Sequence, residues 1–192
     1  MNYTGLVSNV PPARHRFWRW FYDRAAFAYD AILHAADRLH LGSEGRIHRQ
    51  ILGGLASPAR SVVLDLGCGT AASRPYLPTD IHYIGLDISP GMLRRARAKR
   101  AEQRWHAHFV QADAQALPFA AKGVDLILAM GVLQHVSTPD SAIGEMLRVA
   151  KIGARLLLID ERRAQARILR TLNRDNKILQ YWGEYFVLDL QV

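Results

Sequence analysis

Residues 62–70 read Val-Val-Leu-Asp-Leu-Gly-Cys-Gly-Thr, an apolar run that ends in a glycine turn with one carboxylate, Asp65, just ahead of it. Val62, Val63, Leu64 and Leu66 make this a buried strand that delivers the backbone to a ligand. Gly67 and Gly69 lack a Cβ, so the main chain can turn sharply and approach that ligand closely. The stretch narrows the question to which nucleoside-containing cofactor sits there.

Outward from this strand, strands and helices alternate. A helical N-terminal region covers about Arg14 to Leu55, and Ser61–Leu66 reads as the first strand. His82–Leu86, His108–Gln111, Val124–Met130 and Ala154–Ile159 read as the next four. Ser89 is placed as an N-cap with Pro90 in the first turn behind it, opening a helix that buries Met92, Leu93 and Ala96. Ile143, Met146, Leu147 and Ala150 recur at helical spacing, closed by Gly153. Such alternation implies parallel strands with right-handed crossovers. The expected fold is therefore α/β, Rossmann-like and doubly wound with a mostly parallel sheet. One structural domain is expected, with an N-terminal helical lid (1–55) on a cofactor-binding core (56–192).

Composition bounds the rest. The chain has 192 residues, 49% hydrophobic, enough for one sizeable core. Its single cysteine, Cys68, forbids an intrachain disulfide and fits a reducing cytosol. The N-terminus lacks the apolar stretch of a signal peptide, and the best apolar run, Val124 to Leu133, is interrupted by Asp125. The expected protein is cytoplasmic, bound at most to a membrane surface. The net charge of +8 is clustered. Arg14, Arg16, Arg19 and Arg24 crowd the N-terminus; Arg94, Arg95, Arg97, Lys99, Arg100 and Arg104 follow on one helix; Arg162, Arg163, Arg167, Arg170 and Arg174 follow on another. Nucleic acid, anionic lipid or acidic partners would suit this balance, and the plainer reading is solvated helix faces.

In doubly wound sheets ligands bind at the carboxyl ends of the strands. There the sequence places Asp65, then Asp87 in Gly-Leu-Asp-Ile-Ser, then Asp113 in Gln-Ala-Asp-Ala, then Met130-Gly-Val-Leu-Gln-His135. Asp87 can accept two hydrogen bonds from ribose hydroxyls, and Asp113 with the Ala114 N–H can read an adenine edge. Gly67-x-Gly69-x-x-Ala72 also satisfies a permissive dinucleotide fingerprint, with Asp87 near its ribose position. Two features tilt the balance towards S-adenosylmethionine. Asp65 would repel a pyrophosphate but suits a cationic amino-acid end, and the dinucleotide fingerprint has no role for Asp113.

These four motifs, in this order and spacing, resemble those of class I S-adenosylmethionine-dependent methyltransferases over about Phe21 to Asp160. The opening Phe21-Tyr-Asp-Arg-Ala-Ala-x-x-Tyr29-Asp30 is similar to that of the quinone-biosynthesis and phospholipid N-methyltransferases. The resemblance implies that Asp65, Gly67, Cys68, Gly69 and Thr70 hold the methionine end and that Asp87 holds the ribose. It further implies that Ile88 and Met92 pack on the adenine, that Asp113 and Ala114 read its edge, and that Met130 lines the methionine side. Tyr22 and Tyr29 are lid contacts or core residues of an amphipathic helix. His135 is the candidate general base, or else a loop-packing residue.

His106 and His108 form an H-x-H pair with no matching ligand nearby, so no metal is expected. His34, His40 and His48 read as surface residues. Against the family pattern, Ala71 replaces a third loop glycine and Lys-Ile-Gly-Ala replaces Lys-Pro-Gly-Gly before the fifth strand. The family sheet ends in a hairpin, whereas only Tyr185–Val192 is evident after the last helix. The expectation is therefore a six-stranded sheet that lacks its last strand, or one whose edge a partner or second copy completes.

The implied function is methyl transfer to a small-molecule, lipophilic acceptor: a quinone-like ring, a lipid headgroup amine or another metabolite. Phe17, Trp18, Trp20 and Phe21 mixed with Arg14, Arg16 and Arg19 suit an interfacial helix on an anionic membrane, or a lid packed on the sheet. An RNA methyltransferase finds no Asn-Pro-Pro-Tyr-like motif here, and a non-catalytic cofactor-binding scaffold remains the other alternative.

Overall fold

A computed structural model describes residues 13–38, 48–55, 58–103, 105–172, 178–182 and 185–192. The leading helix α1 spans Ala13–Arg38, and a short π-helical turn, His48–Leu52, follows. Then come β1 (Val62–Leu66), β2 (His82–Asp87), α2 (Pro90–Gln103), β3 (Ala107–Gln111) and β4 (Val124–Met130). The chain continues through α3 (Pro139–Val149), β5 (Ala150–Glu161), α4 (Arg162–Leu172), β6 (Ile178–Trp182) and β7 (Tyr185–Gln191).

The strands form a 7-stranded sheet in the order β3-β2-β1-β4-β5-β7-β6. The first five are parallel, and β7 runs antiparallel to both β5 and β6. The doubly wound expectation holds, and the expectation of a missing strand is corrected. Tyr181 pairs with Phe186 and Trp182 with Tyr185, so the terminal hairpin is present. The sequence concealed it because Ile178–Trp182 is short and its register with β7 shifts between Ile178 and Gln180. On β7, Phe186 and Leu188 are fully buried, which fixes that strand as core.

Side chains of successive strand residues go to opposite faces, and two cores result. Leu64, Leu66, Ile127, Leu156 and Leu158 pack with Ile143 and Met146 of α3 and Ile168 of α4. Val63, Tyr83, Leu126, Leu128 and Leu157 pack on the other face with Ala96 of α2 and with Leu52 and Leu55. Gly153 does not close α3, which ends at Val149; it sits within β5 at φ +82°. Of that predicted apolar set Leu147 is exposed, Ile143 and Met146 are buried on α3, and Ala150, also buried, opens β5. His48 is buried and stacked on Tyr76, contrary to its expected surface position. His40, Arg104 and Arg174 lie outside the described residues, as do the side chains of Arg14, Arg16, Phe17, Trp18, Arg19, His34, Arg163 and Arg167.

What positions the site is the docking of α1 on α2. Asp23 Oδ1 accepts the Gly91 N–H (2.7 Å) and the Ser89 hydroxyl (2.7 Å), so a residue of α1 helps cap the N-terminus of α2. A Cβ on Gly91 would lie 2.8 Å from the Asp23 carbonyl oxygen, so this approach requires glycine. One spacing of seven residues further on, Asp30 accepts Lys99 Nζ (2.6 Å) and the Thr70 hydroxyl (2.6 Å). Burial pushes the Asp30 carboxyl up, but the bonds from Lys99 and Thr70 outweigh it and hold it below the usual carboxylate range. Asp23→Ala should therefore lower unfolding stability by about 1–2 kcal/mol in urea titrations, the size of a lost cap. An unchanged midpoint would show that this carboxylate does not anchor the helix.

Candidate active site

A cleft open to solvent at its mouth lies at the carboxyl ends of β1, β2 and β4, where the strand order reverses. Gly67 and Gly69 line it from the loop after β1, and Asp87 and Ile88 from the end of β2. Asp113 and Ala114 come from the loop after β3, and Met130 and His135 from the end of β4 and its loop. Met92 enters from α2, while Tyr22 and Tyr29 close the cleft from α1. The structure thus brings together ten of the residues that the sequence singled out for the cofactor, with His135.

The local reasons are specific. Gly67 has φ +68°, and a Cβ there would strike Val132 Cγ2 at 2.3 Å. Gly69 has φ +53°, and the space beside it is open, so the backbone itself forms the wall. Asp87 Oδ2 accepts the Gly69 N–H (2.8 Å) and Oδ1 accepts the Ser89 N–H (2.8 Å). Each oxygen keeps a further lone pair for a ligand hydroxyl. Burial pushes the Asp87 carboxyl up to about 6, against the lowering effect of those backbone donors. Asp113 accepts the Gln115 N–H (2.9 Å) and side-chain amide (3.1 Å), and Gln115 Oε1 in turn accepts the Thr138 N–H (2.8 Å). Asp113 is thereby tied to the segment that starts α3.

Three residues assigned to the methionine end do not line the cleft. Asp65 is turned behind the glycine loop, where its Oδ2 accepts the hydroxyls of Tyr83 (2.6 Å) and Ser73. Burial pushes its carboxyl up to about 6. The sequence argument that Asp65 meets a cationic ligand directly is corrected: the carboxylate braces the turn that presents Gly67 and Gly69. Thr70 donates its hydroxyl to Asp30 and accepts from Lys99 (2.9 Å), so it belongs to the α1 docking. The Cys68 sulfur packs towards Gly85, where a Cβ would lie 2.8 Å away; burial raises the thiol pKa and keeps it an inert thiol.

Two positions escaped the sequence reading. Asp160 is buried near the end of β5, and its Oδ2 accepts the Leu133 N–H (2.8 Å), which pins the loop carrying His135. An acid closing the apolar run Leu-Leu-Leu-Ile was its only signal. Arg74 is also buried; it donates to the carbonyls of Leu77 and Pro78, and its guanidinium lies 5.8 Å from the Tyr83 ring centre.

His135 Nε2 lies 3.2 Å from the Tyr22 hydroxyl, with the rings edge-on at 5.7 Å. Tyr22 also meets Tyr29 edge-on at 6.3 Å. The two tyrosines are half-buried and line the cleft. Among the described residues, no group of His, Cys, Asp or Glu is arranged to hold a metal.

The charge of the cleft bears on its ligand. Among the described residues its lining holds the carboxylates Asp87 and Asp113 and neither lysine nor arginine. The glycine loop leads into turns and a single 3₁₀ turn, Arg74–Tyr76, in place of an α-helix. A dinucleotide pyrophosphate would meet two negative groups and no helix N-terminus. A nucleoside carrying a cationic amino-acid end fits: ribose hydroxyls against Asp87, open space beside Gly69, and apolar walls from Ile88 and Met92. Because hydroxyls donate more strongly to the ionised carboxylate than to the protonated acid, affinity for such a ligand should be full above pH 7 and fall as pH drops through about 6. Calorimetry of S-adenosylhomocysteine binding from pH 5 to 8 checks this, and Asp87→Asn should remove the step. A flat wild-type profile would contradict it.

Comparison with known proteins agrees with this geometry. Residues 64–158 match the family model described as a methyltransferase domain. A demethylmenaquinone methyltransferase of Renibacterium salmoninarum is 32% identical over 72% of this chain and 56% of its own length. A malonyl-[acyl-carrier protein] O-methyltransferase of Methylovorus sp. is 39% identical over 68% of this chain and 45% of its own. The chain spans about half the length of the curated relatives it matches. A crystal structure of a SAM-dependent methyltransferase from Aquifex aeolicus superposes with TM-score 0.67 at 18% identity, covering 75% of this chain and 88% of the other; it shows the shared fold.

Proposed function

We propose that this chain, which belongs to the class I S-adenosylmethionine-dependent methyltransferases, transfers a methyl group from S-adenosylmethionine to a small lipophilic acceptor in the cleft beneath α1. The observation that carries the reading is a lining whose charged groups, among the described residues, are both carboxylates, set among apolar walls at the switch in strand order. When bound, S-adenosylmethionine supplies an electrophilic methyl group on a sulfonium centre. Asp87 would accept from its ribose, Asp113 and Ala114 would meet the adenine edge, and Ile88 and Met92 would pack on the adenine. Gly67 and Gly69 leave room for the methionine end beside Met130. Tyr22 and Tyr29 exclude water from above, and alignment with water exclusion is most of what methyl transfer asks of a protein.

Val132, Val136 and Met130 line the cleft together with His135. That setting supports a lipophilic acceptor, a quinone-like ring before a lipid headgroup amine, in keeping with the name of the Renibacterium relative. Transfer would break the sulfur–methyl bond as the acceptor atom bonds the methyl carbon, leaving the neutral thioether S-adenosylhomocysteine, and His135 would take the acceptor's proton where it carries one. The Tyr22 hydroxyl orients the imidazole from 3.2 Å. An acceptor of this kind resides in a bilayer, so the protein acts in the cytoplasm at the membrane periphery. Among the described residues, no helix is long and apolar enough to cross a membrane.

The test is transfer of labelled methyl to demethylated quinone analogues and to fractionated lipid extract, with S-adenosylhomocysteine affinity measured in parallel. Asp87→Ala should weaken that affinity by at least about tenfold, the loss of charge-assisted bonds. His135→Gln should keep it while lowering turnover by about 10²-fold or more. Tight binding with no labelled product from any fraction would favour a non-catalytic binding protein, and label confined to RNA would move the acceptor to nucleic acid. Binding of NADH in place of S-adenosylhomocysteine would overturn the cofactor assignment.

A further inference from the structure

The two faces of α1 differ in charge as well as in burial. Asp23 and Asp30 are both spent inward, on the N-terminus of α2 and on Lys99 with Thr70. The described outward positions carry Trp20 (52% exposed), Phe21 (43%), Phe27 (84%) and Ile32 (61%), with Arg24 and Arg38 among them. The other outward residues described are alanines, and none is acidic. At 100° per residue these positions form one continuous strip along the helix. The Arg24 guanidinium lies 4.6 Å from the Trp20 ring centre, so cation and aromatic ring are presented together. Alongside, α2 turns Arg94 and Arg95 to solvent and Arg95 reaches α1 at Asp30 (3.5 Å), while Arg97 and Arg100 donate to the carbonyls of Phe109 and Ala107.

We infer that the outer face of α1, flanked by the arginines of α2, is a docking surface for an anionic lipid bilayer. Large apolar side chains and arginines on one face, with the carboxylates withdrawn to the other, are what a helix needs to lie in a charged interface. The apolar groups enter the acyl boundary and the guanidiniums meet the headgroups. A soluble protein partner would be matched better by a patch with charges of both signs at its rim. The same helix carries Tyr22 and Tyr29 on its inner side as walls of the cleft. A lipophilic molecule dissolved in the leaflet under Phe27 and Ile32 is then separated from His135 by about one helix diameter, ~10 Å. The role given to the surface, delivery of the acceptor, rests on the proposed methyl transfer; the surface itself does not.

Vesicle co-sedimentation of the intact chain tests it, with phosphatidylcholine vesicles compared to vesicles containing phosphatidylglycerol. The wild-type chain should partition onto the anionic vesicles, less so as salt rises, and only weakly onto the neutral ones. The double variant Phe27→Glu/Ile32→Glu should partition at least about tenfold less, by loss of apolar insertion and gain of repulsion. Its S-adenosylhomocysteine affinity should stay at the wild-type value, which shows that it is folded. Arg24→Glu/Arg38→Glu should lose the preference for anionic lipid while retaining the same cofactor affinity. Failure of the wild-type chain to bind anionic vesicles, or equal binding by the Phe27/Ile32 variant, overturns the inference. A dimer in analytical ultracentrifugation that this variant dissolves, without vesicle binding by wild type, overturns it in favour of a second copy. Loss of cofactor binding by the wild-type chain would count against the methyltransferase reading alone.

Discussion

A single carboxylate, Asp87, joins the parts on which this site depends. Its two oxygens hold the Gly69 N–H and the Ser89 N–H at 2.8 Å each, coupling the loop after β1 to the turn that opens α2. Ser89 extends the chain of bonds by donating to Asp23 of α1 and accepting the Met92 N–H (3.1 Å). Floor, side wall and roof of the cleft are therefore linked through one residue at the end of β2. Hydrogen bonds to a charged group contribute about 1.5–3 kcal/mol each when they hold. Burial raises the carboxyl to about 6, so at neutral pH the charge persists at a cost that a ligand donating hydroxyls can offset.

Charge is sorted by depth in this molecule. The chain carries a net charge of +8, yet among the described residues the charged side chains lining the cleft are both acidic. Arginines of α2 remain outside, while Asp23 and Asp30 are used between α1 and α2. A cationic cofactor is favoured in the cleft and an anionic surface is favoured outside it. The same helix, α1, separates the two environments.

The parallel half of the sheet was legible because its strands are apolar runs that end in glycine or acid. Val124–Met130 was read with its observed bounds, and the Ser89-Pro90 helix start was equally plain. The terminal hairpin was not legible, since β6 is a five-residue edge strand with a register shift. Asp87, Asp113 and Met130 were found from position alone, because strand ends in this topology converge on one place. Asp65 was misread for a physical reason. Its side chain points to the face opposite Leu64 and Leu66, where Tyr83 and Ser73 hold it, and sequence order does not show which hydroxyls a buried acid will meet. The docking of α1 by Asp23 and Asp30 was invisible for the same reason: partners such as Lys99 lie 69 residues away.

The central claim is that the cleft beneath α1 binds S-adenosylmethionine with its ribose on Asp87. Crystals grown with S-adenosylhomocysteine test it most directly. The account predicts the ribose hydroxyls within hydrogen-bond distance of Asp87, the adenine edge at Asp113 and Ala114, and the sulfur near Met130 beneath Tyr22 and Tyr29. Adenine bound elsewhere, or a ribose out of reach of Asp87, would contradict it.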